Sequence, residues 1–237
     1  MTTSKYEESI KELASQDDAK RLKALRFIKN SVIGNKTKKE LYIKLGVVQR
    51  LVEYLSLPDD GSSYNLKIQA ATILGSIAYG KDENVSAVVA SGAVVPLLDT
   101  LELPGNKPIM EAIQERRKLI EAATRALKAI FASSRTVKYD TFTDKHIHDL
   151  VTLLDTTSNF LTSEPQGNVS SEGLSYAMIA EFTAAIIAKC CDTPLQQLQL
   201  ETAGAIQPLM QLPLYVVKTK RWVNISLNQK VCNSVYL

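Results

Sequence analysis

His146, His148, Cys190, Cys191 and Cys232 are the residues of this sequence whose types could bind a metal or attack a substrate. The two histidines form an H-x-H pair. Residues two apart on a helix point to different faces, so this pair cannot close on one ion as an i,i+4 pair can. Cys190 and Cys191 end the apolar segment LSYAMIAEFTAAIIAKCC. A cysteine in such a segment packs as a small hydrophobe. An odd cysteine count with two adjacent gives no disulfide framework and fits a reducing compartment. The sequence holds no G-x-x-x-x-G-K-[ST], G-x-G-x-x-G or G-x-S-x-G pattern, so the phosphate-cradling loops and the nucleophile elbow are missing. The expectation is a non-enzymatic chain with no catalytic residue, no metal ligand, no cofactor and no small-molecule substrate.

Charge could do other chemistry. Basic residues cluster at Lys20, Arg21 and Lys23, at Lys36, Lys38 and Lys39, and at Arg116, Arg117 and Lys118. Acidic residues stand beside each cluster: Asp17, Asp18, Glu40, Glu111, Glu115 and Glu121. Such mixed patches read as solvated helix faces. A net charge of +3 over 237 residues lacks the basic stripe of a nucleic-acid binder. The polar start of the chain carries no signal-peptide core and no apolar run is long enough to span a bilayer, so no membrane partner is expected. The sequons at Asn35, Asn84, Asn168 and Asn224 then read as chance matches.

With no chemistry to position, the remaining question is what the apolar pattern builds. Two phrases recur in alternation. The first is a small turn and an apolar helix: LGVVQRLVEYL, SGAVVPLLDTL, DKHIHDLVTLL and AGAIQPLMQL. Gly46, Gly92 and Gly204 mark one place in it, and Lys145 takes that place in the third copy. The second phrase is a longer, alanine-rich amphipathic helix. Its copies align on Ile28, Leu74, Leu127 and Ile187. In its second copy Leu66, Ala70, Leu74, Ile77 and Ala78 form the predicted buried stripe.

The first phrase recurs at spacings of 46, 53 and 59 residues and the second at 46, 53 and 60. Two separate alignments thus share one period, and its shortest spacing matches an armadillo or HEAT unit. Short helices fit before the glycines at KTKKELYIKL, DENVSAVVAS and PLQQLQLETA, with Asp82 and Thr193 as N-caps and Pro194 at the first helical position. A unit of short helix, helix and long helix is the three-helix armadillo arrangement. The expected fold is therefore all-α, an armadillo-type right-handed superhelical repeat array.

Residues 1–19 read as a helical lead-in and 20–217 as the array, with loop insertions near 103–109 and 158–172. Residues 218–237 lose the stripe and read as an irregular, aberrant tail. The pattern stops without a polar capping repeat, so the chain is expected to be the N-terminal part of a longer array. The face around Ile206, Leu209 and Leu212 is then expected to lie open and to drive self-association.

The segments at residues 28–55, 73–98 and 120–134 resemble the armadillo-repeat subunit of the GID/CTLH ubiquitin-ligase complex. NSVIGN and LGSIAYGKDENV carry the resemblance most specifically, and it covers residues 20–210. It implies a scaffold that links substrate receptors to the ligase core in proteasome-dependent degradation, in the cytoplasm and nucleus. The expected partners are protein subunits of that complex, whose RING-type members do the transfer chemistry. Family members carry many more repeats, so the resemblance bears on core binding more than on receptor binding.

Importin-like armadillo proteins place a Trp-x-x-x-Asn pair on each long helix of the concave groove. Here the Trp places hold Arg26, Thr72, Arg125 and Ala185, and the Asn places hold Asn30, Ser76, Ala129 and Lys189. Only Asn30 fits, which argues against an import receptor. Arg26, Asn30, Thr72, Ser76, Arg125 and Lys189 are the candidate partner-binding residues. Their basic members suit an acidic peptide. The alternative reading is accordingly a generic armadillo adaptor for such a peptide, of transport or adhesion type.

Overall fold

A computed structural model describes residues 5–59, 61–102, 110–132, 142–163, 170–189, 191 and 193–219, with the side chains of all but 110–113 and 213–219. The described residues hold twelve helices and no strand. The chain divides into two compact units, Met1–Thr100 with Ile109–Val137, and Leu101–Pro108 with Lys138–Leu237.

The first unit runs α1 (Lys5–Leu13), α2 (Asp18–Val32), α3 (Lys36–Lys44), α4 (Val47–Leu55), α5 (Tyr64–Ala78), α6 (Asp82–Ala90), α7 (Val94–Asp99) and α8 (Met110–Phe131). Its core is the series of long helices: α5 packs against α2 on one side and α8 on the other. Leu66, Ala70, Leu74, Ile77 and Ala78 are all buried there, as the stripe predicts. The alanine-rich composition lets the backbones approach closely. At Gly75 the approach is closest, because a Cβ there would stand 2.9 Å from the Ala126 Cα. The amphipathic α1 covers α2. Its Tyr6 ring meets Phe27 at 5.9 Å and Tyr42 at 6.1 Å, while the Tyr54 hydroxyl donates to the Leu13 carbonyl.

The second unit holds α9 (Asp144–Ser163), α10 (Ser171–Lys189), α11 (Pro194–Thr202) and α12 (Ile206–Thr219). Here α9 is the hub, packed by α10, α11 and α12. The buried Thr183, Ile186 and Ile187 of α10 and Leu150, Leu154 and Leu161 of α9 form this core.

Each recurring glycine sits where a short helix must end and the next begin. Gly46, Gly92 and Gly204 adopt φ of 73°, 78° and 85°, the left-handed region that an L side chain enters only at a cost. Thr193 caps α11 through a capping box with Gln196, and Pro194 opens the helix. Asn35 caps α3, its side chain accepting from the Lys38 N–H at 3.0 Å.

Several expectations are corrected. Asp82 is not the N-cap of α6: Lys81 holds the cap position and Asp82 opens the helix, where its charge faces the positive end of the dipole. Residues 158–163 are not loop. They extend α9, because Thr157, Ser158 and Leu161 continue its buried face and Phe160 stacks against Tyr176 at 4.1 Å. Leu209 and Leu212 do not form an open face either, since α12 lays them against α9. Met210 is the exposed large apolar residue of α12 among those whose side chains are described. The insertion at 103–109 and the tail from 220 lie outside the described residues, as do Cys190, Cys232, Asn168 and Asn224.

Candidate protein-interaction face

At the aligned places of the long helices the candidate residues are exposed or half-buried. Arg26 and Asn30 on α2 are exposed, Thr72 and Ser76 on α5 are half-buried, and Arg125 on α8 is exposed. These five belong to one unit whose three long helices pack in series. Lys189, half-buried at the end of α10, belongs to the other unit.

The polar groups here are partly committed to their own helices. Thr72 Oγ1 donates to the Ile68 carbonyl at 2.7 Å and Ser76 Oγ to the Thr72 carbonyl at 2.8 Å. Their oxygens keep lone pairs for a ligand while the protons are held. Arg125 pairs with Glu121 one turn away, Nη2 to Oε1 2.7 Å. The basic character that the sequence gives this side is therefore reduced at Arg125. Arg26 and Lys189 take part in no ion pair among the described residues.

The basic clusters divide. Arg21 pairs with Asp18, Lys23 with Glu12 at 2.8 Å and Lys118 with Glu115 at 2.6 Å, the mixed faces that the sequence predicts. Lys39 and Arg116 depart from that reading, because both are buried. Arg116 of α8 and the buried Lys67 of α5 converge on the carboxylate of Asp59, in the turn before α5. That clamp ties two long helices to one loop. Its signal in the sequence is faint, since Asp59 stands 57 residues from Arg116 in a short acidic turn. Lys39 Nζ donates to the Tyr79 carbonyl at 2.6 Å. Burial, then the neighbouring Lys36 charge, lower its pKa. Lys81 pairs with Glu40, and the hydrogen bond and charge of Glu40 raise the Lys81 pKa.

Of the described residues that could do chemistry, His146 and Cys191 are buried in packing roles. His146 is buried and its Nδ1 accepts from the Thr143 N–H at 3.3 Å. His148 is exposed, 3.5 Å from Thr152 Oγ1, on another face of α9. Cys191 is buried beside Ile187, Leu200 and Leu209. Among the described residues no group of three His, Cys, Asp or Glu side chains could hold a metal. No helix among them is long and apolar enough to cross a membrane. Asn84, the asparagine of one sequon, is buried in α6 and therefore inaccessible to glycosylation in the folded chain.

A search of protein-family models finds no match. Among curated proteins, the chain is similar to Armadillo repeat-containing protein 8 of Mus musculus, 31% identical over 209 residues that are 87% of this chain and 26% of that protein. The protein of the same name from Danio rerio is 30% identical over 198 residues, 81% of this chain and 24% of that protein. The chain thus spans about a quarter of the length of the curated relatives it matches. Among solved structures, computationally designed armadillo repeat proteins for modular peptide recognition align with a TM-score of 0.55 at 20% identity, over 97% of this chain and 98% of theirs. An engineered protein aligns with a TM-score of 0.55 at 18% identity, over 98% of this chain and 99% of its own. The fold is of the armadillo type. That armadillo fold accounts for the shared period of the two sequence phrases, and for the turn glycines that separate short helix from short helix.

Proposed function

We propose that this chain is a non-enzymatic scaffold that joins a multi-subunit ubiquitin ligase of the GID/CTLH type through its armadillo repeats. The observation that carries the reading is the 31% identity to Armadillo repeat-containing protein 8 over 209 residues. An armadillo fold supports it, since stacked helical repeats present long binding surfaces. The partners are protein subunits of the ligase core, the transfer chemistry belongs to its RING-type members, and the site of action is the cytoplasm and nucleus. Co-expression of the 237-residue chain with the RING-type and LisH/CTLH-type core subunits tests the reading. Co-elution in one size-exclusion peak supports it; a folded chain that elutes alone refutes it.

A second reading rests on Arg26, which has no ion-pair partner among the described residues. It is an adaptor whose long-helix side holds an acidic peptide. Charge reversal at Arg26 or Arg125 then weakens the peptide without disturbing a ligase core bound elsewhere.

A further inference from the structure

Ile33 and Tyr79 occupy the same place in successive repeats, five residues after the aligned Ile28 and Leu74. Each is the C-cap of a long helix, with φ and ψ of −62° and 119° at Ile33 and −69° and 119° at Tyr79. Each precedes a left-handed glycine, Gly34 or Gly80. This backbone conformation is open to any residue and demands no apolar side chain. The preceding Val32 and Ala78 are fully buried, whereas Ile33 is 59% exposed and Tyr79 is 74% exposed. Lys39 Nζ stands 5.7 Å from the centre of the Tyr79 ring, yet most of both side chains remains open to solvent.

The two turns are linked through the start of α3. Ile33 lies three residues before it, and Lys39 and Glu40 within its first turns reach the Tyr79 carbonyl and the Lys81 ammonium. The first turn of α3 holds Lys36, Lys38 and Lys39 and no acid, at the helix end where the dipole is already positive. Lys38 Nζ lies 3.7 Å over the Tyr6 ring, and Lys36 is exposed. Acids near this surface include Glu40, which is paired with Lys81, and Asp82 and Glu83 at the start of α6. The α3 side is thus basic, and the two turns beside it are apolar.

We propose that these paired turns and the first turn of α3 form a docking surface for a short segment of a partner protein in which apolar residues alternate with Asp or Glu. The apolar side chains cover Ile33 and Tyr79. The carboxylates meet Lys36. In an extended segment successive side chains alternate direction, which suits a surface whose apolar and basic parts lie side by side. Ile33 and Tyr79 stand seven residues after Arg26 and Thr72 and so continue the same helix faces, and the inference does not depend on the ligase reading.

The test is fluorescence anisotropy with the full 237-residue chain and a labelled Asp-Phe-Glu-Leu-Asp-Phe-Glu-Leu peptide, against a twin carrying Lys at every acidic place. The acidic peptide is expected to bind about ten-fold more tightly than the twin. Ile33→Ser with Tyr79→Ser, and separately Lys36→Glu, each weaken it by about five-fold or more. Tyr79→Phe keeps the affinity, and circular dichroism checks that every variant is folded. Arg125→Glu, on the third long helix, leaves it unchanged. Failure of the acidic peptide to bind, equal binding of the twin, or loss only in the Arg125 variant overturns the proposal.

Discussion

One copy in the second unit, the third of the series, handles its turn differently from the two copies of the first unit. In the first unit Gly46 and Gly92 take left-handed φ, so α3 and α6 end and α4 and α7 start in a new direction. In the second unit the third copy has Lys145 at this place. Lys145 is helical, one residue into α9, and its Nζ reaches Asp149 at 2.8 Å and Glu102 at 3.0 Å. The apolar stripe nevertheless survives: Ile147, Leu150 and Leu154 stand where the earlier copy has Val48, Leu51 and Leu55, and all six are buried. The stripe therefore sets which side of each helix is covered, while the glycine sets where the chain bends. Losing the glycine does not unmake the repeat.

The largest expected effect separates the units at their long helices. Gly75 of α5 leaves no room for a Cβ against the Ala126 backbone. The matching place in α10 is Ala188, which is half-buried. Gly75→Val should cost about 3 kcal/mol and Ala188→Val under about 1 kcal/mol, read by thermal or urea denaturation. Equal losses would break the distinction.

The clamp of the first unit comes next. Asp59→Ala removes the carboxylate that the buried Lys67 and Arg116 share. The loss should be about 2 to 3 kcal/mol, toward the lower end for a broken buried pair because Asp59 itself is exposed. Lys145→Ala breaks an exposed pair with Glu102 and a pair with the largely covered Asp149, and as Lys145 itself is exposed it should cost about 1 kcal/mol and less in high salt.

Reciprocal substitutions then test the turn itself. Gly46→Ala forces an L side chain into left-handed φ and should cost about 1 kcal/mol. Lys145→Gly adds backbone freedom inside a helix and should also cost about 1 kcal/mol. A stabilising Lys145→Gly would mean that the third copy needs the glycine after all.

The smallest effect is a pH dependence. Burial lowers the Lys39 pKa, so on raising the pH the folded chain releases this proton before the unfolded chain does. Within that window the unfolded state binds more protons, and stability rises with pH until the ordinary lysine value of about 10.4 is passed. Lys39→Met should abolish this rise in an alkaline series of melting curves.

Much of the fold was legible because stripes and turn glycines are local. The stripe of α5, the capping Thr193 with Pro194, and the short helices before Gly46, Gly92 and Gly204 all lie where the pattern puts them. What was not legible depended on distant neighbours. Polar letters at 157–159 read as the edge of a loop until Phe160 and Leu161 find α10 and the α9 core. Leu209 and Leu212 looked open because α9, their cover, lies about 50 residues earlier. The candidate partner-binding residues were legible as aligned places, but Glu121's claim on Arg125 was not counted. The exposure of Ile33 and Tyr79 needed coordinates, since both read as ordinary members of a helical run.

The most direct test of the scaffold account is affinity purification of the tagged 237-residue chain from its own cells, with mass spectrometry of what it retains. The account predicts recovery of RING-type and LisH/CTLH-type ligase subunits with the folded chain. A soluble, folded chain that retains neither type would contradict it.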